Sequence, residues 1–468
     1  MREFTTGPGL QATALIADRL VAKAGFGTVT GARPAGWPGD FAPNLEVIMT
    51  TAPALASLVA RTVTIPDPGP LLALLPPGQP SLSWVRHGEG LVGWGEAMRV
   101  TGAGESRFES AIRTWGEVRR RAVVRDEVRL PGTGPVAFGS FAFSPTSPSG
   151  SALIVPEVVV GHRGNAWWLT TITADGTLPA PVALTRHERS DERPAGTVFT
   201  PTREPQEWTA AVAEVISRIE AGEVEKVVLA RDVVARTVDD VDPRDLLSRL
   251  AGDYPNCWTF SVDGLVGATP EMLVKLERGL VTSRVLAGTI RRTRNDEQDL
   301  ALAASLARSS KDLEEHEYAV RSVAEALAPH CATTNVPDSP FVLHLPNVMH
   351  LATDVTGVLA DGATSLDLAA ALHPSAAVCG TPTASAAKLI EAVEGMDRGR
   401  YAGPVGWVDA AGDGEWGIAL RSAQLDAEDP RTLRLFAGCG IVAGSDPEAE
   451  LAESEAKLLP IKGALGNG

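Results

Sequence analysis

Residues Val224 to Arg231 read Val-Glu-Lys-Val-Val-Leu-Ala-Arg, β-branched and apolar on both faces, with charges inserted at selected points. Such a run is predicted to be a central strand of a packed sheet, covered on both sides. The chain can supply the core: 44% of its 468 residues are hydrophobic and only 21% charged, too apolar for a disordered protein. Against 58 acidic residues stand 42 basic ones, a net charge of −16. That sign argues against binding nucleic acid or an anionic membrane surface, while leaving room for a local basic pocket. The long uncharged stretches, Pro131 to Pro156 and Leu368 to Ala387, are broken by Gly, Pro, Ser or His before reaching the roughly 20 apolar residues that span a bilayer. No transmembrane helix is expected. The interrupted segment Phe4 to Ala17, followed by Asp18, Arg19 and Lys23, does not read as a secretion signal, so the protein is expected in the cytoplasm. Cys257, Cys331, Cys379 and Cys439 form no C-x-x-C pair and read as reduced core thiols.

The first half is rich in Gly, Pro and Trp, with strand-like runs at Gly90 to Trp94, Val136 to Phe143 and Val158 to Val160. A hairpin is predicted at His162-Arg163-Gly164-Asn165, and Trp84, Trp94, Trp167 and Trp168 read as sheet-packing residues. Arg186 to Pro205 is a polar connection. Beyond it, Trp208, Val212, Val215, Ile216 and Ile219 follow helical spacing up to a Gly222 cap. Then come a strand ending at Gly267-Ala268-Thr269-Pro270-Glu271, a Leu286 to Thr289 turn, and one long helix from about Asp299 to Leu327. Ser445-Asp446-Pro447-Glu448 has the capping-box pattern of a last helix running to about Leu459 and ended by Pro460. Gly438-Cys439-Gly440-Ile441-Val442-Ala443 fits a dinucleotide-binding pattern, but too little chain follows for a second parallel strand. A Gly-rich turn whose N–H groups face an anion is the expectation there.

Several charges sit where a fold would not place them without a use. Lys226 lies in an apolar strand, either as a buried base with lowered pKa or on an exposed edge. Glu271, after Pro270 at a strand end, is either a protonated general acid or a solvated loop residue. Glu450, Glu453 and Lys457 share one face of the last helix, and Asp312 and Glu315 one face of the long helix. Each set reads alone as a solvated face, but together they could hold a hard divalent cation such as Mg²⁺ through carboxylate oxygens. Arg421, ending an apolar run, and Tyr401, in the strand before Gly403, are a carboxylate clamp or a surface pair. His350 is a site hydrogen-bonder or a core-edge histidine.

Seven segments occur in an order that resembles the chorismate-utilising enzymes, the family of isochorismate synthases, salicylate synthases and anthranilate synthase large subunits. They are Glu225 to Arg231, Gly267 to Glu271, Leu286 to Thr289, Lys311 to His316, Met349 to Thr353, His373 to Pro382, and Ala437 to Ile441. The resemblance implies an α+β fold of two large, mainly antiparallel sheets packed together and flanked by helices. Residues 1–200 would be a divergent part completing the sheets and 201–468 the chorismate-binding catalytic part, in one structural unit. It also implies Lys226 as the base that activates water, Glu271 as the acid, and Glu315 and Glu453 as Mg²⁺ ligands with Asp312 and Glu450 close by. Tyr401, Arg421 and Lys457 would hold carboxylates or orient the site, and Gly288, Thr289, Gly438 and Gly440 would give backbone contacts.

Within that family a lysine at this strand position marks members that use water rather than ammonia, so no glutamine amidotransferase partner is expected. Ala377-Val378 is similar to the pair of isochorismate synthases rather than to the Thr-plus-small pair of the pyruvate-releasing lyases. The expected reaction is chorismate to isochorismate, feeding menaquinone or siderophore synthesis. The alternatives are a salicylate synthase and a catalytically silent chorismate-binding subunit.

Overall fold

The computed structural model describes residues 57–466 apart from 190, 191, 294 and 347; the Phe4 to Ala17 segment lies outside the described residues. The elements that frame the site are, in chain order, helix α1 (Pro205–Glu220), strands β1 (Lys226–Arg236), β2 (Leu265–Thr269) and β3 (Leu280–Arg291), helices α2 (Asp296–Leu306) and α3 (Ser310–Leu327), strand β4 (Val348–Leu359), helix α4 (Thr383–Val393), strands β5 (Gly414–Ile418) and β6 (Thr432–Ile441), and helix α5 (Pro447–Ala464).

Two sheets carry the fold, of 13 and 10 strands among the described residues. In the first, β1 lies between Val198–Pro201 and β6, and β2 follows beyond Ser422–Leu425. In the second, β4, β3, Met272–Glu277, β5 and Pro404–Asp409 are successive neighbours. Among the described residues every pairing of strands is antiparallel except Val59–Thr64 with Val123–Asp126, which an isolated parallel bridge from Ser57 to Asp175 adjoins, as the α+β expectation required. Strands from before and after residue 200 share both sheets: Leu82–Arg86 pairs with Trp258–Val262, and Val136–Ser140 with Pro404–Asp409. The core holds Trp84, Trp168 and Phe260 of the first sheet with Phe138 and Trp416 of the second, whereas Trp94 and Trp167 are only half-buried.

Several local expectations hold. Trp208, Val212, Val215 and Ile219 form the buried face of α1. The helix ends with Gly222 N–H on the Ile219 carbonyl and Glu223 N–H on that of Arg218, with Gly222 at positive φ. The 162–165 hairpin joins Val158–Arg163 to Ala166–Thr173. Cys257, Cys379 and Cys439 are buried free thiols, while Cys331 is half-exposed.

Five expectations need correction. The predicted long helix is two, because Ser309 stops the run and caps α3 by accepting the Asp312 N–H. Leu286 to Thr289 is not a turn: Gly288 is an extra residue bulging inside β3, since Ala287 pairs with Leu351 and Thr289 already with His350. Gly438 and Gly440 lie within β6, opposite Ala230 and Val228, rather than in a Gly-rich turn. Tyr401 sits in the turn before Pro404–Asp409, not in a strand. Finally, α5 runs through Pro460 to Ala464. An interior proline costs about 3 kcal/mol. Ile461, Ala464 and Leu465 are fully buried against Leu246, Leu247 and Leu250, and at about 1.5–3 kcal/mol for each large side chain this outweighs the penalty.

Candidate active site

Lys226 opens β1 and is 0% exposed, its backbone paired with Thr381, which excludes the exposed-edge alternative. Its Nζ lies 3.0 Å from Oε1 of Glu315 on α3, outside hydrogen-bonding angles to any group in the described residues. Gly440 on β6 makes the room: a Cβ there would lie 2.3 Å from Glu315 Oε1 and 3.0 Å from Lys226 Cε. Gly440→Ala is therefore expected to push Glu315 off the lysine and lower turnover by roughly tenfold or more. Steady-state kinetics beside a thermal melt would check this, and unchanged kinetics would show that the pair has no role.

Helix α3 is docked by His316, the neighbour of Glu315. Burial, with Lys226 nearby, lowers the His316 pKa to about 4, so the ring is neutral. Its Nδ1–H donates to the Ala287 carbonyl (3.2 Å) and its Nε2 accepts from the Thr353 hydroxyl (2.7 Å). Next to Ala287, the bulge residue Gly288 has φ 77 and would bring a Cβ to 3.0 Å from Asp312 Cβ, so only glycine lets α3 approach. The bulge also turns Thr289 toward His350, whose Nδ1 is 3.0 Å from Thr289 Oγ1. Burial, Arg421 and Lys457 hold the His350 pKa well below its usual value. Arg421 Nη2 can only donate, so at 3.3 Å it fixes His350 as the Nδ1–H tautomer with an accepting Nε2. Arg421 itself is buried at φ 49, a strained conformation for a non-glycine residue, so it is neither exposed nor a surface partner of Tyr401. Tyr401 stacks on Phe436, centroids 5.1 Å apart, and burial pushes its hydroxyl up to about 12.

Glu271 follows β2 and is buried. Burial raises its pKa to about 8, against the Leu286 N–H and the charges of Lys226, Lys457 and Arg421, which lower it. At neutral pH it carries a proton, the state a general acid needs.

On α5, Lys457 donates to Glu453 Oε1 (2.6 Å) and to the Gly438 carbonyl (3.0 Å). Burial opposes its charge, yet the Glu453 carboxylate and Cys439 raise its pKa above the ordinary lysine value. Oxygens of Glu450 and Glu453 and the Cys439 sulfur lie within 4.8 Å of one another. Burial, then Glu453, pushes the Cys439 thiol well above its usual pKa, so carboxylate oxygens are the anionic donors. That donor set fits a hard divalent cation rather than zinc.

One cavity collects most of these groups: Glu271, Gly288, Thr289, Glu315, His350, Ala377, Val378, Tyr401, Arg421, Gly438, Gly440, Glu453 and Lys457 all line it. Lys226 lies behind Glu315, while Asp312 and Glu450 are set back from the wall. Arg398 and Phe436 line it too and were missed. Phe436 shares the strand period of Gly438 and Gly440 and was findable, whereas Arg398, in an irregular segment, carried no periodic signal. A more open cleft, near Trp84, Arg163, Lys275, Glu277 and Glu415, contains none of these groups; there Arg163 and Lys275 pair with Glu277 and Glu415.

The profile of the family described as chorismate binding enzyme matches residues 55–466. The chain belongs to that family. It is 40% identical over 293 residues to isochorismate synthase DhbC of Bacillus subtilis, covering 60% of this chain and 73% of the relative. To isochorismate synthase MenF of the same organism it is 31% identical over 404 residues, covering 80% and 85%. The structure of MenF, the menaquinone-specific isochorismate synthase of Escherichia coli, superposes with a TM-score of 0.72 at 25% identity, covering 88% of this chain and 95% of that one. Among the described residues no helix is long and apolar enough to cross a membrane.

Proposed function

We propose that this enzyme is an isochorismate synthase, converting chorismate to isochorismate with Mg²⁺. The observation that carries the reading is a buried, protonated glutamate lining one cavity with a wholly buried lysine directly behind its wall, in a chain whose relatives bear that name. Water adds at C2, the ring double bond shifts, and the C4 hydroxyl leaves as water, so one water enters and one departs. Lys226 takes the proton of the attacking water, and Glu271 gives its proton to the departing hydroxyl. Both return to their starting states by exchanging a proton through solvent.

Arg421 and Tyr401 bind a substrate carboxylate, with His350 holding the guanidinium in place from its fixed tautomer. Lys457, anchored on the Gly438 carbonyl, orients Glu453. Glu315 and Glu453, with Glu450 and Asp312 behind them, would hold Mg²⁺, which when bound supplies charge to offset the carboxylates and a seat for the ring carboxylate of the substrate. Ala377 and Val378 pack near the enolpyruvyl group and disfavour its elimination. Water as nucleophile means that no amidotransferase partner is needed.

Incubating the protein with chorismate and Mg²⁺ and separating the products by chromatography and mass tests this directly. Isochorismate without an equivalent of pyruvate is expected. A chelator should lower the rate by roughly a hundredfold or more, restored by added Mg²⁺. Salicylate plus pyruvate would overturn the isochorismate reading, and chorismate binding without turnover would make the chain a binding subunit.

A further inference from the structure

Arg398 and Glu394 take no part in the reaction derived above, yet both are buried, at 3% and 4% exposed. They form a two-pronged ion pair at the end of α4: Arg398 Nε donates to Glu394 Oε2 at 2.8 Å, and Nη2 to Oε1. Taking two charges out of water is costly unless their remaining hydrogen-bonding groups are also satisfied. Here those groups all go to backbone. Arg398 Nη1 donates to the Val378 carbonyl (2.8 Å) and Nη2 to the Val228 carbonyl (2.7 Å), while Glu394 Oε1 accepts the Ala230 N–H (2.7 Å). The guanidinium also lies 4.2 Å over the Phe143 ring.

The pair therefore adds a side-chain fastening where a short backbone ladder, Lys226 and Val227 against Thr381 and Gly380 with the Val228 N–H on the Cys379 carbonyl, already joins two pieces of chain. One is β1, two residues beyond Lys226; the other is the loop that carries Ala377 and Val378. Val228, Val378 and Arg398 all line the cavity. The charge of Arg398 is already matched by Glu394, which leaves it a geometric role rather than that of another carboxylate holder. A planar guanidinium can reach both carbonyls and both carboxylate oxygens at once, and an ammonium cannot.

We propose that Glu394 and Arg398 are positioning residues that set Val378 against β1, and thereby the share of chorismate consumed that ends as pyruvate. The proposal rests on the reading of the cavity as a chorismate-converting site. Elimination needs no further reagent: the hydrogen on C2 of isochorismate moves to the enolpyruvyl methylene carbon as the C3–O bond breaks, giving salicylate and pyruvate. It requires the enolpyruvyl group to fold toward C2, and a Val378 held in place denies it that space.

The test is pyruvate released per chorismate consumed, with kcat and KM, for wild type, Arg398→Lys and Glu394→Gln, and for Arg398→Lys in a Val378→Ala background. Both single variants are expected to raise the ratio by roughly threefold or more. In the Val378→Ala background Arg398→Lys should add little, because the wall it positions has already been cut back. If Arg398→Lys fails to fold, Glu394→Gln, which keeps the shape of the pair, carries the test. A folded variant with the wild-type ratio overturns the proposal, as does an undiminished effect of Arg398→Lys in the Val378→Ala background. A wild type that already releases one pyruvate per chorismate would overturn the isochorismate reading and the proposal with it, whereas a wild type that forms isochorismate beside variants of unchanged ratio would overturn the proposal alone.

Discussion

Replacing Lys226 with glutamine is expected to lower kcat by about a thousandfold, within the range assigned to a positioned general base, and to leave KM for chorismate within a few-fold of wild type. Glutamine keeps most of the length and its amide N–H can face Glu315, so the 3.0 Å contact has a polar substitute and the fold should survive. It has no lone pair basic enough to take a proton from water. The split between kcat and KM is the informative part, because Lys226 lies behind Glu315 rather than on the cavity wall. Steady-state kinetics with a fluorescence-monitored chorismate titration would check it. A loss of binding matching the loss of turnover would make Lys226 a substrate anchor instead of a base.

What the sequence made legible follows from which physical signal each residue leaves. Lys226 was visible because a charge inside an apolar strand is expensive, and Glu315 and Glu453 because helical spacing put carboxylates on shared faces. The two-sheet architecture was legible only through resemblance: pairings such as Leu82–Arg86 with Trp258–Val262 join residues far apart in sequence and have no local signature. The errors are of the same kind. Ser309 as a helix stop and Gly288 as a bulge are single-residue events inside runs that otherwise look continuous. Pro460 was read by its local penalty alone, while the burial of Ile461 and Leu465 that overrides it is tertiary. Arg398 shows the limit most plainly, since its partners Val228 and Val378 are 170 and 20 residues away and its importance is entirely in that junction.

Glu271→Gln should separate acid catalysis from structure by pH. With its carboxyl pKa raised to about 8, wild-type turnover is expected to hold through neutral pH and fall as the pH rises past about 8, where the proton destined for the leaving hydroxyl is lost. The glutamine variant should lose roughly a hundredfold or more of kcat at pH 7 and should lack that alkaline limb. The variant's stability should move opposite to its activity. A carboxyl whose pKa is higher folded than unfolded binds more protons in the folded state, so the fold loses stability as pH rises from about 4.5 toward about 8. The cost of ionising this buried group then persists above that range, on the order of a few kcal/mol. Glutamine never ionises, so the variant should melt close to wild type at pH 5 and above it at pH 9. Equal melting temperatures at pH 9 would mean that Glu271 ionises there at no cost, and an alkaline limb retained in the variant would assign the proton to another group around the same cavity.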